Sequence, residues 1–330
     1  MRLLTFLADP SDDSRPAERL GALVNEQVLD LGAAATAAGI APGGPGAPGA
    51  AGALGSPIAL LEGGPEALQA ARSVVEWATA RAEGPWWRAL DAVRLRAPIT
   101  RPPKILAVAG NYAAHRREGG AAVPEVKTAL PELFSKPVTS VIGTGEAIVL
   151  PGPLCPAVDY EGELAVIIGR RCRDVAPERA LDCVAGYANY NDVSGRRLDV
   201  SALGIQREGE AGPRVAFFDW LLGKWFDTFG ACGPWLVTAD EVPDPRALTL
   251  ETRVNGEVRQ RASTGDMLHS VVDLISVASR VMTLEPGDII ATGTPDGVGS
   301  ASGRFLQAGD VVEVEIGPLG TLRNPVQGPR

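Results

Sequence analysis

The chain has 330 residues, 45% hydrophobic and 22% charged, the proportions of a soluble globular protein with room for roughly two domains of ~150 residues. A formal net charge of −9 argues against nucleic acid or an anionic membrane as a main partner, because both require basic patches. The four cysteines (Cys155, Cys172, Cys183, Cys232) contain no Cys-x-x-Cys pair, so neither a zinc knuckle nor a thioredoxin-like motif is expected. No segment approaches the ~18 apolar residues that span a bilayer, and residues 1–8 are too short a run for a signal peptide. The expectation is a cytoplasmic protein with reduced thiols.

In chain order, residues 2–8, 20–24 and 27–31 read as short strands, with Asn25-Glu26 as the turn between the last two. Residues 34–56 are mostly Ala, Gly and Pro, too poor in large side chains to pack, and read as a flexible loop. Apolar spacing at Leu68, Ala71, Val74, Val75 and Ala78 predicts a helix over 65–83, with Pro65 near its first turn. Arg101-Pro102-Pro103 marks a domain boundary, since tandem prolines stop regular structure. It separates a small α+β unit over 1–100 from a larger unit over 101–330. The second unit is strand-rich, with short runs at 105–109, 147–150, 164–168, 248–254, 288–292 and 311–316. Asn255-Gly256 is a type I′ hairpin signal.

One helix interrupts the strands, over 266–282. Leu268, Val271, Val272, Ile275 and Ala278 form its buried stripe, and Ser263 or Thr264 is its cap. This places His269 on the polar face with Asp266, Asp273, Ser276 and Arg280, exposed and without chemistry.

Chemistry concentrates in Asp159-Tyr160-Glu161-Gly162-Glu163, which leads into the apolar run 164–168. Alternation along a strand puts Glu161 and Glu163 on one face, roughly 7 Å apart. Two like charges so close repel unless a cation sits between them, and a hard divalent ion does this with oxygen ligands alone. A solvated edge-strand face is the alternative. The chain has only two histidines: a 2-His-1-carboxylate iron site would need both, with His269 expected on the wrong face, and a His-rich zinc site is excluded by the count. Asp192, at the end of the alternating run 187–192, completes three carboxylates suited to Mg²⁺ or Mn²⁺, with Ca²⁺ as a substitute. Alone it would read as a turn-former.

His115 and Glu118 lie three apart in a short helical turn after Gly110, so they face the same way. A carboxylate against an imidazole fixes its tautomer and raises its basicity, as a general base requires; a surface His–Glu pair is the alternative. Lys224 is surrounded by bulky apolar residues and can hold an anion. In Ala291-Thr292-Gly293-Thr294-Pro295-Asp296-Gly297-Val298-Gly299 a strand runs into a glycine-rich loop. Nucleotide binding fails there because the spacing is wrong, Pro295 interrupts and no helix is expected to follow. Backbone amides and the Thr294 hydroxyl can still grip a carboxylate.

Asp-Tyr-Glu-Gly-Glu, Asn-Asp-Val-Ser-x-Arg, Gly-Lys-x-Phe-Asp-Thr-Phe and Pro-Gly-Asp-Ile-Ile-Ala-Thr-Gly-Thr-Pro-x-Gly-Val-Gly occur in that order, with Asn-Tyr-x-x-His before them. Together they resemble the fumarylacetoacetate hydrolase superfamily over about residues 104–316. The resemblance implies a mainly β, α+β fold, a mixed β-sandwich roll that is usually dimeric. It implies that Glu161, Glu163 and Asp192 bind Mg²⁺ and that His115 with Glu118 handles water or a proton. Lys224, Arg196 and Thr294 would hold substrate, with Tyr112 and Gly293 beside them. Two departures stand out. Asp199 lies near where many relatives carry a substrate-touching glutamine, and residues 201–214 look like an inserted loop.

The reading that follows is a Mg²⁺-dependent hydrolase that cleaves a C–C bond of an acylpyruvate-type 2,4-dioxo acid through a metal-stabilised enolate. The same chemistry serves an oxaloacetate decarboxylase or an oxo-diacid isomerase or hydratase. A non-catalytic protein with a structural divalent metal site is the alternative of another class. The expected partner is a small anionic 2-oxo acid, and the expected assembly a homodimer.

Overall fold

The computed structural model describes residues 1–8, 17–40, 50–125, 129–207 and 212–329. Among these, a twelve-stranded sheet forms the spine. Its centre is the antiparallel trio Gly230–Thr238, Val184–Asp192 and Gly162–Ile168. One flank continues through Ile289–Ala291, Ile105–Ala109 and Glu132–Lys136, with the first two of these parallel. The other flank is made by the opening strands Arg2–Leu7, Glu18–Val24, Gln27–Asp30 and Trp87–Ala89, with Arg2–Leu7 paired to Gly230–Thr238. A second, five-stranded sheet stacks on the first, in the order Glu257–Ser263, Thr249–Val254, Val311–Ile316, Thr321–Gln327, Ile148–Val149.

The strand Gly162–Ile168 is buried along its whole length. Leu164, Val166 and Ile168 pack into the core shared with the second sheet, whereas Ala165 and Ile167 enter the core under the N-terminal helices. A strand covered on both faces needs a continuous apolar run rather than alternation, and Leu-Ala-Val-Ile-Ile supplies it. Each fully buried aliphatic side chain here contributes about 1.5–3 kcal/mol.

Most expected elements form. Residues 105–109 and 311–316 are strands at the expected bounds, and Asn25, Glu26 and Asn255 adopt the positive φ that tight hairpin turns require. The predicted 65–83 helix runs Gly64–Thr79, with Pro65 in its first turn and Ala67, Ala71, Val74 and Ala78 buried.

Three expectations are corrected. Within the supposed loop 34–56, Leu31–Ala38 is a helix capped by Asp30, and Ala50–Ala53 is another; residues 41–49 lie outside the described ones. Alanine is the best helix former, so an Ala-rich stretch with an aspartate cap coils instead of looping. The predicted 266–282 helix divides. Ser263 caps a single turn, Thr264–Asp266, and the helix proper is Val271–Val281, capped by Ser270 in a capping box with Asp273. His269 therefore precedes the helix, and it is buried rather than exposed. Burial lowers its pKa, and its amide donates to Asn111 Oδ1 at 2.8 Å. Finally, a four-residue helix, Gly299–Ser302, does follow the glycine-rich loop.

Candidate metal centre and active site

Strand pairing gathers the three acidic residues. Glu161 and Glu163 flank the start of Gly162–Ile168, and Asp192 ends the neighbouring strand, whose register sets Gly162 opposite Asn191. The Asp192 amide donates to the Glu161 carbonyl at 2.9 Å, and Asn191 Oδ1 accepts from the Glu161 amide at 3.0 Å. One carboxylate oxygen from each of Glu161, Glu163 and Asp192 lies within 4.8 Å of the others, and all three residues are buried.

Three cations surround this trio. Lys224 Nζ donates to Glu161 Oε2 at 2.6 Å and Asp192 Oδ2 at 2.7 Å. Arg196 bridges Asp159 Oδ2 at 2.8 Å and Glu161 Oε1 at 2.5 Å. Lys136 reaches Asp192 Oδ1 at 2.5 Å and the Lys224 carbonyl at 2.7 Å. Sequence reasoning missed Lys136 and Asp159. Lys136 ends the strand Glu132–Lys136, just before Pro137, where a lone lysine reads as an ordinary exposed residue. Asp159 accepts from the Gly299 and Ser300 amides at 2.6 and 2.9 Å, so it ties the site to the short helix.

The charges do not balance. If all were ionised, Asp159, Glu161, Glu163 and Asp192 would set four negative charges against three positive ones on Lys136, Arg196 and Lys224. The excess sits on Glu163, which forms no ion pair among the described residues and accepts only from the Gly293 amide, at 2.9 Å. Burial, then Asp192 and Glu161, push its pKa well above the usual carboxylate range. Burial would also raise Glu161, but Lys224 and Arg196 outweigh it and pull that pKa down. Lys224, against two carboxylates, is raised despite burial, whereas for Lys136, against one, burial wins and the pKa falls. A buried uncompensated carboxylate in an all-oxygen donor set is what a hard divalent cation satisfies, so the residues present fit one.

Beside the trio lies a cavity of about 80 Å³, lined by His115, Glu161, Arg196, Lys224, Thr294 and the rings of Phe134 and Trp220 among others. His115 comes from the short helix Ala113–Glu118. Its Nδ1 lies 3.5 Å from Glu118 Oε2, and Glu118 Oε1 accepts from the Gly297 amide at 2.9 Å. The helix Pro213–Gly223 delivers Trp220 and leads into Lys224, whose Nζ lies 5.5 Å from the Phe134 ring centroid and 6.0 Å from that of Trp220. In the supposed inserted loop 201–214, Val200–Leu203 is a 3₁₀ turn and Pro213 opens this helix; residues 208–211 lie outside the described ones.

Of the other expected substrate contacts, Thr294 lines this cavity, whereas Gly293, Tyr112 and Asp199 do not. The Gly293 amide is engaged by Glu163, and Thr294 Oγ1 donates to the Gly162 carbonyl at 3.0 Å. Tyr112 is buried near Glu163, its hydroxyl has no hydrogen-bond partner among the described residues, and burial with the nearby Glu163 raises its pKa. Asp199 stands outside the cavity lining. It is exposed, and its carboxylate caps the Val200–Leu203 turn by accepting from the Ser201 amide at 3.0 Å. A short acid directly before a helical turn is captured by the local backbone, which the sequence comparison with glutamine could not show.

Residues 104–327 match the model of the family described as fumarylacetoacetate (FAA) hydrolase C-terminal. The chain belongs to the fumarylacetoacetate hydrolase family. It is 39% identical to the oxaloacetate tautomerase YisK of Bacillus subtilis, over 82% of this chain and 86% of that one. It is likewise 39% identical to the mitochondrial oxaloacetate tautomerase fahd2 of Xenopus laevis, over 81% and 76%. Among solved structures, maleylpyruvate hydrolase from Sphingobium sp. SYK-6, in complex with manganese(II) and pyruvate, superposes with a TM-score of 0.71 at 31% identity, covering all of both chains. The fold of this family member is thus the mixed, sheet-rich one that the motifs implied. No helix among its described residues is long and apolar enough to cross a membrane.

Proposed function

We propose that this chain is a divalent-metal-dependent enzyme acting on a small oxo-diacid, moving a proton at the carbon beside the 2-oxo group, with keto–enol interconversion of oxaloacetate as its first activity. The observation that carries this reading is the small cavity in which His115, Arg196, Lys224 and Thr294 meet Glu161 of the carboxylate trio. Sites for drug-sized ligands run to roughly 300–1,000 Å³. A cavity of about 80 Å³ suits a three- or four-carbon acid better than a long acyl chain. The similarity to two oxaloacetate tautomerases supports the same substrate class.

Glu161, Glu163 and Asp192 would hold Mg²⁺ or Mn²⁺. When bound, the ion supplies Lewis acidity that polarises a 2-oxo group and steadies the negative charge of an enolate. Lys224 and Arg196 give the cavity wall a positive field that draws in a carboxylate. The Phe134 and Trp220 rings keep water from Lys224, so its charge acts in a low dielectric. His115, whose Nδ1 lies 3.5 Å from Glu118 Oε2, takes a proton from the carbon beside the 2-oxo group and gives one to the 2-oxo oxygen to form the enol, and the reverse transfer restores the ketone.

The His115–Glu118 pair also favours a second reading, hydrolytic C–C cleavage of an acylpyruvate. The same base can draw a proton from water, and the full-length similarity to maleylpyruvate hydrolase supports it. The test follows the ultraviolet absorbance of enol-oxaloacetate and of 2,4-dioxo acids, with Mn²⁺ and with chelator. Metal-dependent enol loss without pyruvate release supports the tautomerase reading. Pyruvate release from a 2,4-dioxo acid moves the assignment to hydrolysis, and indifference to metal in every assay contradicts both.

A further inference from the structure

The five-stranded sheet reaches the cavity through one buried side chain. Gln260 lies on the strand Glu257–Ser263 and is 1% exposed. Its Oε1 accepts from the amide of Gly162, the residue between Glu161 and Glu163, at 2.9 Å. Its Nε2 donates to Thr294 Oγ1 at 2.8 Å and to the Pro295 carbonyl at 2.9 Å. Thr294 Oγ1 donates in turn to the Gly162 carbonyl at 3.0 Å, which closes a ring of three residues. The approach depends on glycine. A Cβ at position 162 would lie 2.1 Å from Thr252 Oγ1 and 3.4 Å from Gln260 Oε1.

We propose that Gln260 is a positioning residue for the reaction, setting the Thr294 hydroxyl and the strand carrying Glu161 and Glu163 in one fixed arrangement. It does not line the cavity, so it acts on substrate through Thr294, which does. The substrate half of this proposal rests on the function proposed above. Two considerations favour coupling over simple packing. An apolar residue of the same length would fill the space, yet both ends of a buried amide are satisfied, and by groups belonging to two different parts of the site. Outer-shell contacts of this kind hold ligating residues in their working geometry, and their loss typically lowers affinity or activity by about 10–100-fold.

The test compares Gln260→Met, Thr294→Val and the double variant in the full chain. Mn²⁺ binding is measured alone by electron paramagnetic resonance, and pyruvate binding is then measured on the Mn²⁺-loaded protein. Gln260→Met is expected to weaken pyruvate by about tenfold or more. In the Thr294→Val background the same change has much less effect, because both act along one route. Gln260→Glu keeps an acceptor for the Gly162 amide, so it retains Mn²⁺ affinity close to wild type while losing pyruvate affinity. It carries the test if Gln260→Met does not fold. Unchanged pyruvate affinity in a folded Gln260 variant overturns the proposal, as do equal losses in both backgrounds. Failure of the wild-type protein itself to bind pyruvate is the separate result that counts against the substrate reading. The claim for Gln260 is then decided on Mn²⁺ affinity, which Gln260→Met lowers and which an unchanged value overturns.

Discussion

Lys136 and Asp192 meet as a fully enclosed ion pair, with Nζ 2.5 Å from Oδ1 and the two side chains 0% and 1% exposed. The pair joins the edge strand Glu132–Lys136 to the end of a central one, and through the Lys224 carbonyl it reaches the helix that covers the cavity. Removing Lys136 leaves buried Asp192 with Lys224 as its remaining counter-charge, and that lysine is shared with Glu161. Lys136→Met is therefore expected to lower unfolding free energy by about 3–5 kcal/mol. Lys136→Met with Asp192→Asn should lose less than the two changes summed. Denaturant unfolding of the four proteins checks this, and strict additivity would contradict it.

Glu163 is the trio's uncompensated member, so its removal separates stability from function. Glu163→Gln keeps the shape and still offers an oxygen to the Gly293 amide, but removes an ionisable group whose charged form burial and two carboxylates oppose. The metal-free variant should gain on the order of 1 kcal/mol, while addition of Mn²⁺ should no longer raise its melting temperature. Paired melting curves with and without metal show both effects.

Sequence made the trio legible because its signals are local: alternation places Glu161 and Glu163, and a strand end places Asp192. The His115–Glu118 pair was visible for the same reason, at helical spacing. Lys136, Asp159, Asn111 and Gln260 were not visible, because each earns its place through a partner far along the chain, such as Asn111 Nδ2 on the carbonyls of His269 and Thr292. The strand Gly230–Thr238 also escaped detection. Its Gly-Ala-Cys-Gly-Pro opening reads as a loop, yet it lies between Arg2–Leu7 and Val184–Asp192 at the centre of the sheet. Tertiary pairing overrode weak β-propensity there. His269 was misplaced by extending the helical period past Ser270, which stops it.

His115 touches the cavity and makes none of the contacts that hold the carboxylate trio together. His115→Ala should therefore lower kcat by about 10²–10⁴-fold and leave Mn²⁺ affinity close to wild type. Glu118→Gln should lower it less, since the imidazole remains. Steady-state kinetics beside a metal titration distinguishes the base from a residue needed for metal.

The cysteines should be chemically quiet. All four are free and buried. Burial pushes the Cys172 and Cys232 thiols up to about 12 and raises Cys155 as well. The thiolate is the reactive form, so the native protein should resist iodoacetamide at neutral pH and label fully only in denaturant. Fast labelling of the native protein, read by mass spectrometry, would count against the packing described.

The central claim is that Glu161, Glu163 and Asp192 converge to bind one hard divalent cation, and Mn²⁺ titration followed by electron paramagnetic resonance tests it most directly. The account predicts a single saturable site in the wild-type chain and its loss in a folded Glu163→Ala variant. A wild-type chain that binds no Mn²⁺ at millimolar concentration, or a folded variant that binds it as tightly as wild type, would contradict it.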